Sequence, residues 1–175
     1  MQINKLELKN ITYYKQGSEE TPCYNAVVYV NGKKLIDVGN DGHGGSDRQK
    51  GCGDYSYKDV EKVDSWIKDN FPKGSFESGG KTHYYDYDLE SWCHDRLYEF
   101  LDKKILKKEL QKKYLCVVQD DYKDERFLVS WKRRGKDFDE SFQKYLVAKE
   151  PDLVGKCLNF LPFDKAWKIY EEVTS

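Results

Sequence analysis

Near the start of the chain the apolar residues Leu6 and Leu8 alternate with the charged residues Lys5, Glu7 and Lys9. This alternation predicts a strand over residues 3–13. Two further runs of β-branched and aromatic residues cover residues 24–30 and 34–38, and Asn31 and Gly32 lie between them. An Asn-Gly pair between two such runs predicts a β-hairpin, because a type I′ turn needs positive φ at both central residues.

Later segments carry apolar residues at the spacing of a helix. Ser56 and Asp59 have the spacing of a capping box before the first of these segments, and Pro72 ends it. Asp86 or Asp88 is placed to begin a second, longer helix that ends near residue 113. Two more helices are predicted, one starting near residue 139 and a C-terminal one capped by Asp164.

Three short segments between these helices have the pattern of strands. Residues 114–119 and 126–132 predict a second hairpin, and residues 156–161 predict a last strand. Hairpins with helices between them favour an α+β fold over a parallel sheet. We therefore predict antiparallel β-hairpins packed with three to four helices, in a single compact domain over residues 1–175.

Two stretches rich in glycine interrupt the pattern. Residues 39–53 hold six of the chain's 13 glycines, and we predict that they form one long loop. Residues 73–81, with Gly74, Gly79 and Gly80, predict a connector. Glycine permits positive φ and close backbone approach, so the longer stretch is either a mobile link or a loop shaped to fit a ligand or partner.

Polar side chains make the glycine-rich loop a candidate contact site. The loop lacks the lysine of a phosphate-binding P-loop and the third glycine of a dinucleotide fingerprint. We predict that Asp41, His43, Asp47 and Arg48 contact a ligand or a partner. An alternative is a small metal-dependent hydrolase or nucleotide binder that uses Asp41, His43 and Asp47.

Composition favours a folded protein without a membrane segment. The net charge is −1 and aromatic residues reach 15%, whereas disordered chains usually combine high net charge with few aromatics. No run is long enough for a membrane helix and no secretory signal follows Met1. Five cysteines without framework spacing fit reduced thiols, so we predict a cytoplasmic protein.

A basic middle segment offers a second contact surface. Residues 101–136 hold 12 Lys/Arg against 6 Asp/Glu. A cluster of lysine and arginine side chains favours an anionic partner, because such cations form ion pairs with the phosphates of nucleic acids. The alternative prediction is therefore a nucleic-acid-binding protein. The residues concerned are Lys104, Lys108, Lys112, Arg133 and Arg134.

Tyrosines alternate with acidic residues in several short segments. Tyrosine is enriched at protein interfaces, where its ring buries area at little entropic cost. A protein partner is therefore the leading prediction. The tyrosines predicted for this interface are Tyr55, Tyr57, Tyr84, Tyr85 and Tyr87.

Histidine and cysteine spacing indicates no metal centre. His43, His83 and His94 lack the paired spacing of zinc ligands, and the adjacent Cys93 and His94 diverge on a helix. No nucleophile motif has its partner motifs either. We predict no catalytic residue, no metal and no cofactor, which favours a non-enzymatic protein.

Residues 21–33, followed by residues 38–45, carry a strand–Asn-Gly-Lys–strand hairpin and an Asn-Asp-Gly-x-Gly-Gly loop. This N-terminal quarter resembles small uncharacterised proteins of bacteriophages and mobile elements. The resemblance implies a phage or prophage setting in the host bacterial cytoplasm. The leading hypothesis is a binding protein that inhibits a host factor, either a bacterial defence system (anti-CRISPR-like or another anti-defence function) or a nucleic-acid-processing factor.

Overall fold

The computed structural model describes residues 2–120, 125–135 and 138–174 of the chain. In this part of the chain, four α-helices and eight antiparallel strands form an α+β fold, as predicted. The chain divides into two compact units, Met1–Glu99 and Phe100–Ser175. The prediction of one domain over residues 1–175 stays a prediction.

A four-stranded antiparallel sheet forms the first unit's framework, with its strands in chain order. The predicted hairpin is confirmed: Asn31 and Gly32 connect its strands with φ of 51° and 81°. Alternate residues of the second strand, among them Ala26, Val28 and Val30, are buried. The strands are β1 Leu6–Tyr13, β2 Tyr24–Val30, β3 Lys33–Asn40 and β4 Arg48–Gly51.

The glycine-rich stretch is not one long loop. Strand β3 continues to Asn40, and β4 pairs with it so that Gly39 faces Arg48 and Ile36 faces Gly51. Pairing to β3 satisfies backbone groups that a free loop would leave to solvent. The loop between the two strands is therefore residues 41–47 alone.

Helix α1, Tyr57–Asn70, begins at the predicted capping box. The Asp59 carboxylate accepts hydrogen bonds from the Ser56 backbone N–H at 3.0 Å and the Ser56 hydroxyl at 2.9 Å. The helix contacts β3 and β4 and buries Val60, Val63 and Ile67. The spacing of these residues explains the correct prediction, since they lie on one helical face.

The predicted connector at residues 73–81 is wrong. It forms part of a hairpin, with strands β5 Gly74–Ser78 and β6 Lys81–Tyr85. Gly79 and Gly80 turn the chain with φ of 59° and 73°, as a type I′ turn requires. All residues of β6 are exposed, so the hydrophobic alternation that marks a half-buried strand is missing.

Helix α2, Leu89–Lys112, begins in the first unit and ends in the second. Asp88 begins it as predicted: its carboxylate accepts the Ser91 N–H at 2.8 Å. Asp64 of α1 accepts the Leu89 N–H at 3.0 Å, which fixes this end of α2 to α1. No helix in the described residues is long and apolar enough to span a membrane.

The second unit is built on the predicted second hairpin. Residues 121–124 of the connection lie outside the described residues. The predicted strand at residues 156–161 is wrong, because Cys157 makes one isolated bridge to Cys116 and a 3-10 turn follows at Leu158–Phe160. The elements are β7 Lys113–Asp120, β8 Glu125–Lys132, α3 Asp139–Lys149 and α4 Phe163–Thr174.

Strand β7 divides the second unit's core into two clusters. Leu115 and Val117 pack in a cluster with Trp167 of α4, whereas Tyr114 and Cys116 pack in one with Leu146 of α3. Side chains of a strand point alternately to its two faces, so neighbouring residues serve different clusters. All five cysteines of the chain are free, and Cys93, Cys116 and Cys157 are buried.

Arg133 belongs to the framework of the second unit. Its guanidinium donates to the Asp139 carboxylate, with Nε 3.0 Å from Oδ1, and to the Leu110 carbonyl oxygen at 2.9 Å. Its side chain is only 12% exposed. Arg133, which was predicted to contact nucleic acid, therefore links the end of α2 to the start of α3 instead.

Candidate functional site

Asn40, at the end of β3, holds the loop of residues 41–47. Its Oδ1 accepts the Thr21 hydroxyl at 2.6 Å and the Gly42 N–H at 2.9 Å. Its Nδ2 donates to the Gly45 carbonyl at 3.0 Å and to Asp47 Oδ1 at 3.2 Å. Asn40 is 8% exposed, so these bonds form away from most water and fix both ends of the loop.

Asp47 is the last residue of the loop, and its side chain is buried, with 1% exposed. Its carboxylate accepts hydrogen bonds from the Tyr24 hydroxyl and from Asn40, and His94 Nε2 lies 3.3 Å from Oδ1. Burial disfavours the ionised carboxylate, but the hydrogen bonds from His94, Tyr24 and Asn40 outweigh it and keep the Asp47 pKa below its usual range. The bond to Asp47 raises the His94 pKa.

Glu90 completes a cluster with Asp47 and His94. Glu90 and His94 are one turn apart on α2. Burial raises the Glu90 pKa. One ligand atom from each of the three side chains lies within 4.8 Å of the others. Two carboxylates and one imidazole are ligand types that divalent transition metals accept.

The outer side of the loop is ordered by backbone contacts. The Gly42 carbonyl accepts the N–H groups of Glu19 at 3.0 Å, Glu20 at 2.9 Å and Thr21 at 3.3 Å. His43 is exposed, and its Nδ1 lies 3.3 Å from Glu19 Oε2. The loop therefore presents its exposed side chains from a backbone that is bonded to the preceding segment.

The structure separates the four residues predicted for this loop. Asp47 joins the buried cluster, whereas Asp41 and His43 are exposed, and the His43 N–H donates to Asp41 Oδ1 at 3.3 Å. Arg48 lies in β4, where its guanidinium donates to Asn25 Oδ1 at 2.8 Å. Asp41, His43 and Asp47 do not converge as the metal-dependent alternative required.

Sequence reasoning missed three residues that hold or neighbour Asp47, and it rejected a fourth, His94, as a metal ligand. The three missed residues are Tyr24, Asn40 and Glu90. The spacing of four between Glu90 and His94 was the one available signal, since it places both side chains on one face of a helix. Nothing in the sequence marks the distant Tyr24 as a partner of Asp47.

Most of the predicted interface tyrosines are exposed. Tyr57 is 71% exposed and Tyr84 is 72% exposed, and Tyr55 and Tyr85 are exposed to a smaller extent. Tyr87 differs, because it is half-buried and its hydroxyl donates to Asp95. Phe76, across from His83 in the β5–β6 hairpin, adds a 54% exposed ring that sequence reasoning did not include.

The predicted basic residues all lie in the second unit. Lys104, Lys108 and Lys112 are exposed on α2 at intervals of four residues, and Arg134 is exposed after β8. Among the residues that the structure describes, Arg133 is the member of the predicted set that forms an ion pair with a carboxylate. We call Lys104, Lys108 and Lys112 the lysine ridge.

Comparisons with protein-family models, with curated proteins and with solved structures each returned no match to this chain. The resemblance to bacteriophage proteins therefore stays a prediction. The geometry of the two units is what supports a function.

Gly42 gives the sharpest stability test of the loop. Its φ is +93°, and a methyl group there would lie 1.8 Å from the Gly17 carbonyl oxygen. We expect Gly42→Ala to lower the free energy of unfolding by roughly 2–4 kcal/mol, from backbone strain and overpacking. Chemical denaturation followed by circular dichroism measures this loss.

Gly45→Ala is the matched control. Gly45 also has positive φ, at +79°, but a methyl group there meets open space. Its loss should be limited to about 1 kcal/mol from backbone conformation alone. Equal losses for the two variants would contradict the close contact between Gly42 and Gly17.

Proposed function

We propose that this chain is a non-enzymatic binding protein that uses the loop of residues 41–47 and its exposed tyrosines as contact surface. The observation that supports this function is that the loop has one buried, hydrogen-bonded side chain and others exposed at the surface. Asp47 is buried and hydrogen-bonded to the framework, while Asp41 and His43 are held at the surface.

A fixed loop favours recognition for a thermodynamic reason. Ordering a flexible segment on binding costs free energy, about 1–2 kcal/mol for each residue whose backbone becomes fixed. Asn40 and the three amides that donate to Gly42 already hold this backbone in the free protein. Binding through this loop therefore loses less entropy than binding through an unanchored glycine-rich segment.

Charge around the loop indicates a basic partner surface. Glu19, Glu20 and Asp41 are exposed, and backbone bonds from Glu19 and Glu20 to Gly42 place them beside the loop. Complementary charge steers encounter and fixes orientation more than it adds affinity. The exposed rings of Tyr57 and Tyr84 supply the apolar area that such a contact needs.

The finer form of the proposal is inhibition of a host factor. In a phage or prophage setting, the partner would be a bacterial defence component or a nucleic-acid-processing factor in the cytoplasm. Such a factor carries basic surface for its nucleic acid, which an acidic loop with neighbouring tyrosines would complement.

Quantitative co-purification from bacterial lysate tests the binding function. We expect a specific partner whose recovery falls at least about tenfold with the Tyr57→Ser/Tyr84→Ser variant, because tyrosine is enriched among the hot-spot residues whose truncation costs about 2 kcal/mol or more. Tyr98→Ser is the control, since Tyr98 is 51% exposed on α2 and is not among the predicted contacts. Failure to recover a partner, or equal loss with the control, would contradict the proposal.

A second candidate function is binding of a divalent cation by Asp47, Glu90 and His94. The 3.3 Å between His94 Nε2 and Asp47 Oδ1 suits two ligands of one metal, which would replace the proton between them. His94 is 27% exposed, so the cluster is open to solvent on this side. A small hydrolase would use such a cation to activate water.

Calorimetric titration with Mn²⁺ and Zn²⁺ tests this second function. We expect one cation per chain, with affinity reduced about 10- to 100-fold or more in Glu90→Gln and His94→Gln, since each substitution weakens or removes one ligand. His43→Gln is the control, because His43 lies outside the cluster and should leave binding unchanged. Equal binding by all three variants, or none by the wild type, would rule the site out.

Hydrolysis of nucleotides or nucleic acid with added Mn²⁺ or Mg²⁺ separates the two candidate functions. Turnover that His94→Gln abolishes would establish an enzyme. Cation binding without turnover would leave the cluster as a structural site beneath a recognition loop.

A further inference from the structure

A cleft of about 530 Å³ opens on the second unit. This volume lies within the range of small-ligand sites, about 300–1,000 Å³. It is lined mainly by aromatic rings, with two cations. We call it the aromatic cleft, and its principal residues are Trp131, Lys132, Arg134, Phe138, Phe142 and Tyr145.

The rings of the cleft are already arranged in stacks. The Phe142 ring is parallel to that of buried Tyr114, with centroids 3.8 Å apart, and it also stacks with Tyr145 at 5.8 Å. Trp131 lies 5.6 Å from Phe142. Phe138 and Tyr145 remain 47% and 39% exposed, so the cleft presents ring surface to solvent.

Two exposed cations line the same cleft. Lys132 and Arg134 have no ion pair with any acidic side chain among residues 2–120, 125–135 and 138–174. Arg133, which lies between them in the sequence, forms an ion pair with the nearby carboxylate of Asp139. Lys132 also faces Lys113 across the β7–β8 pair, although Lys113 contacts Glu109. This leaves cationic charge beside exposed aromatic rings.

We propose that the aromatic cleft binds single-stranded nucleic acid. A base stacks on the rings of Phe138 and Tyr145, and the adjoining phosphates contact Lys132 and Arg134. Bases stack on aromatic side chains without sequence preference, and cations track the backbone. This site lies in the second unit and does not depend on the binding function proposed for the loop.

The lysine ridge favours a polymer over a free nucleotide. Lys112, its last member, accepts the Arg133 N–H with its carbonyl oxygen at 2.7 Å. The ridge therefore ends next to the segment that carries Lys132 and Arg134. A single strand seated in the cleft has further cations along α2 for its flanking phosphates, which a mononucleotide would not use.

Fluorescence anisotropy with a labelled 12-nucleotide single-stranded DNA tests the proposal. At low salt we expect binding that Phe138→Ala weakens about 5- to 150-fold, the usual loss for one base–aromatic stack. Lys132→Gln/Arg134→Gln should reduce the slope of log affinity against log salt by about 1.4, from two phosphate contacts on a single strand. Circular dichroism confirms that each variant is folded.

Two variants of the same unit serve as controls. Phe127 is 44% exposed on β8 and lies outside the cleft lining, and Lys165 and Lys168 are exposed on α4. Phe127→Ala should leave affinity unchanged, and Lys165→Gln/Lys168→Gln should leave the salt slope unchanged. Absence of binding at low salt, or equal losses in test and control variants, would overturn the proposal.

Competition distinguishes the proposed occupant from other ligands. Unlabelled single strand should displace the probe, whereas duplex DNA of the same sequence should compete poorly, because its bases are stacked and paired. If AMP or dTMP binds as tightly as the oligonucleotide, the cleft is a nucleotide site and the polymer assignment is wrong.

Discussion

The buried carboxylate of Asp47 is the interaction on which the candidate site depends. A buried charge is costly unless hydrogen bonds and an opposite charge compensate it. Three different elements provide them: β2 through Tyr24, β3 through Asn40 and α2 through His94. The same carboxylate therefore ties a sheet to a helix and fixes the end of the loop that follows β3.

The contacts that fix the backbone of this loop also determine which of its side chains are exposed. Asn40 and Asp47 lie below the surface, and Gly42 brings its backbone close to Gly17, which leaves Asp41 and His43 outside. The cluster of Asp47, Glu90 and His94 is compatible with a cation, yet the hydrogen bonds of Asp47 already compensate the burial of its carboxylate. The candidate site of the second unit differs in character, because its cleft is lined by exposed aromatic rings and exposed cations.

Local signals in the sequence predicted most of the elements. Asn31-Gly32, the Ser56–Asp59 capping box and Asp88 each act within four residues, so their outcome does not depend on tertiary context. The β5–β6 hairpin was missed because its exposed strands lack alternation and its two glycines resemble a linker. The strand prediction at residues 156–161 was wrong because an apolar run of that length also suits a 3-10 turn.

The candidate site was only partly predictable, for a related reason. Glycines and polar residues indicated the loop, but its partners are set by tertiary structure: Tyr24 is 23 residues from Asp47 and His94 is 47 residues away. For Arg133 the sequence predicted a function, and tertiary structure instead gives this residue a structural role. Its charge suggested a phosphate contact, whereas the fold brings Asp139 and the Leu110 carbonyl to its guanidinium.

Amide hydrogen exchange of Glu19, Glu20 and Thr21 tests the anchored loop most directly, because all three N–H groups donate to Gly42. The account predicts protection of roughly 100-fold or more over an unstructured chain, since exchange then requires local opening. In Asn40→Ala that protection should fall while amides between β2 and β3 keep theirs. Exchange of the three amides at unstructured rates in the wild-type protein would contradict the account.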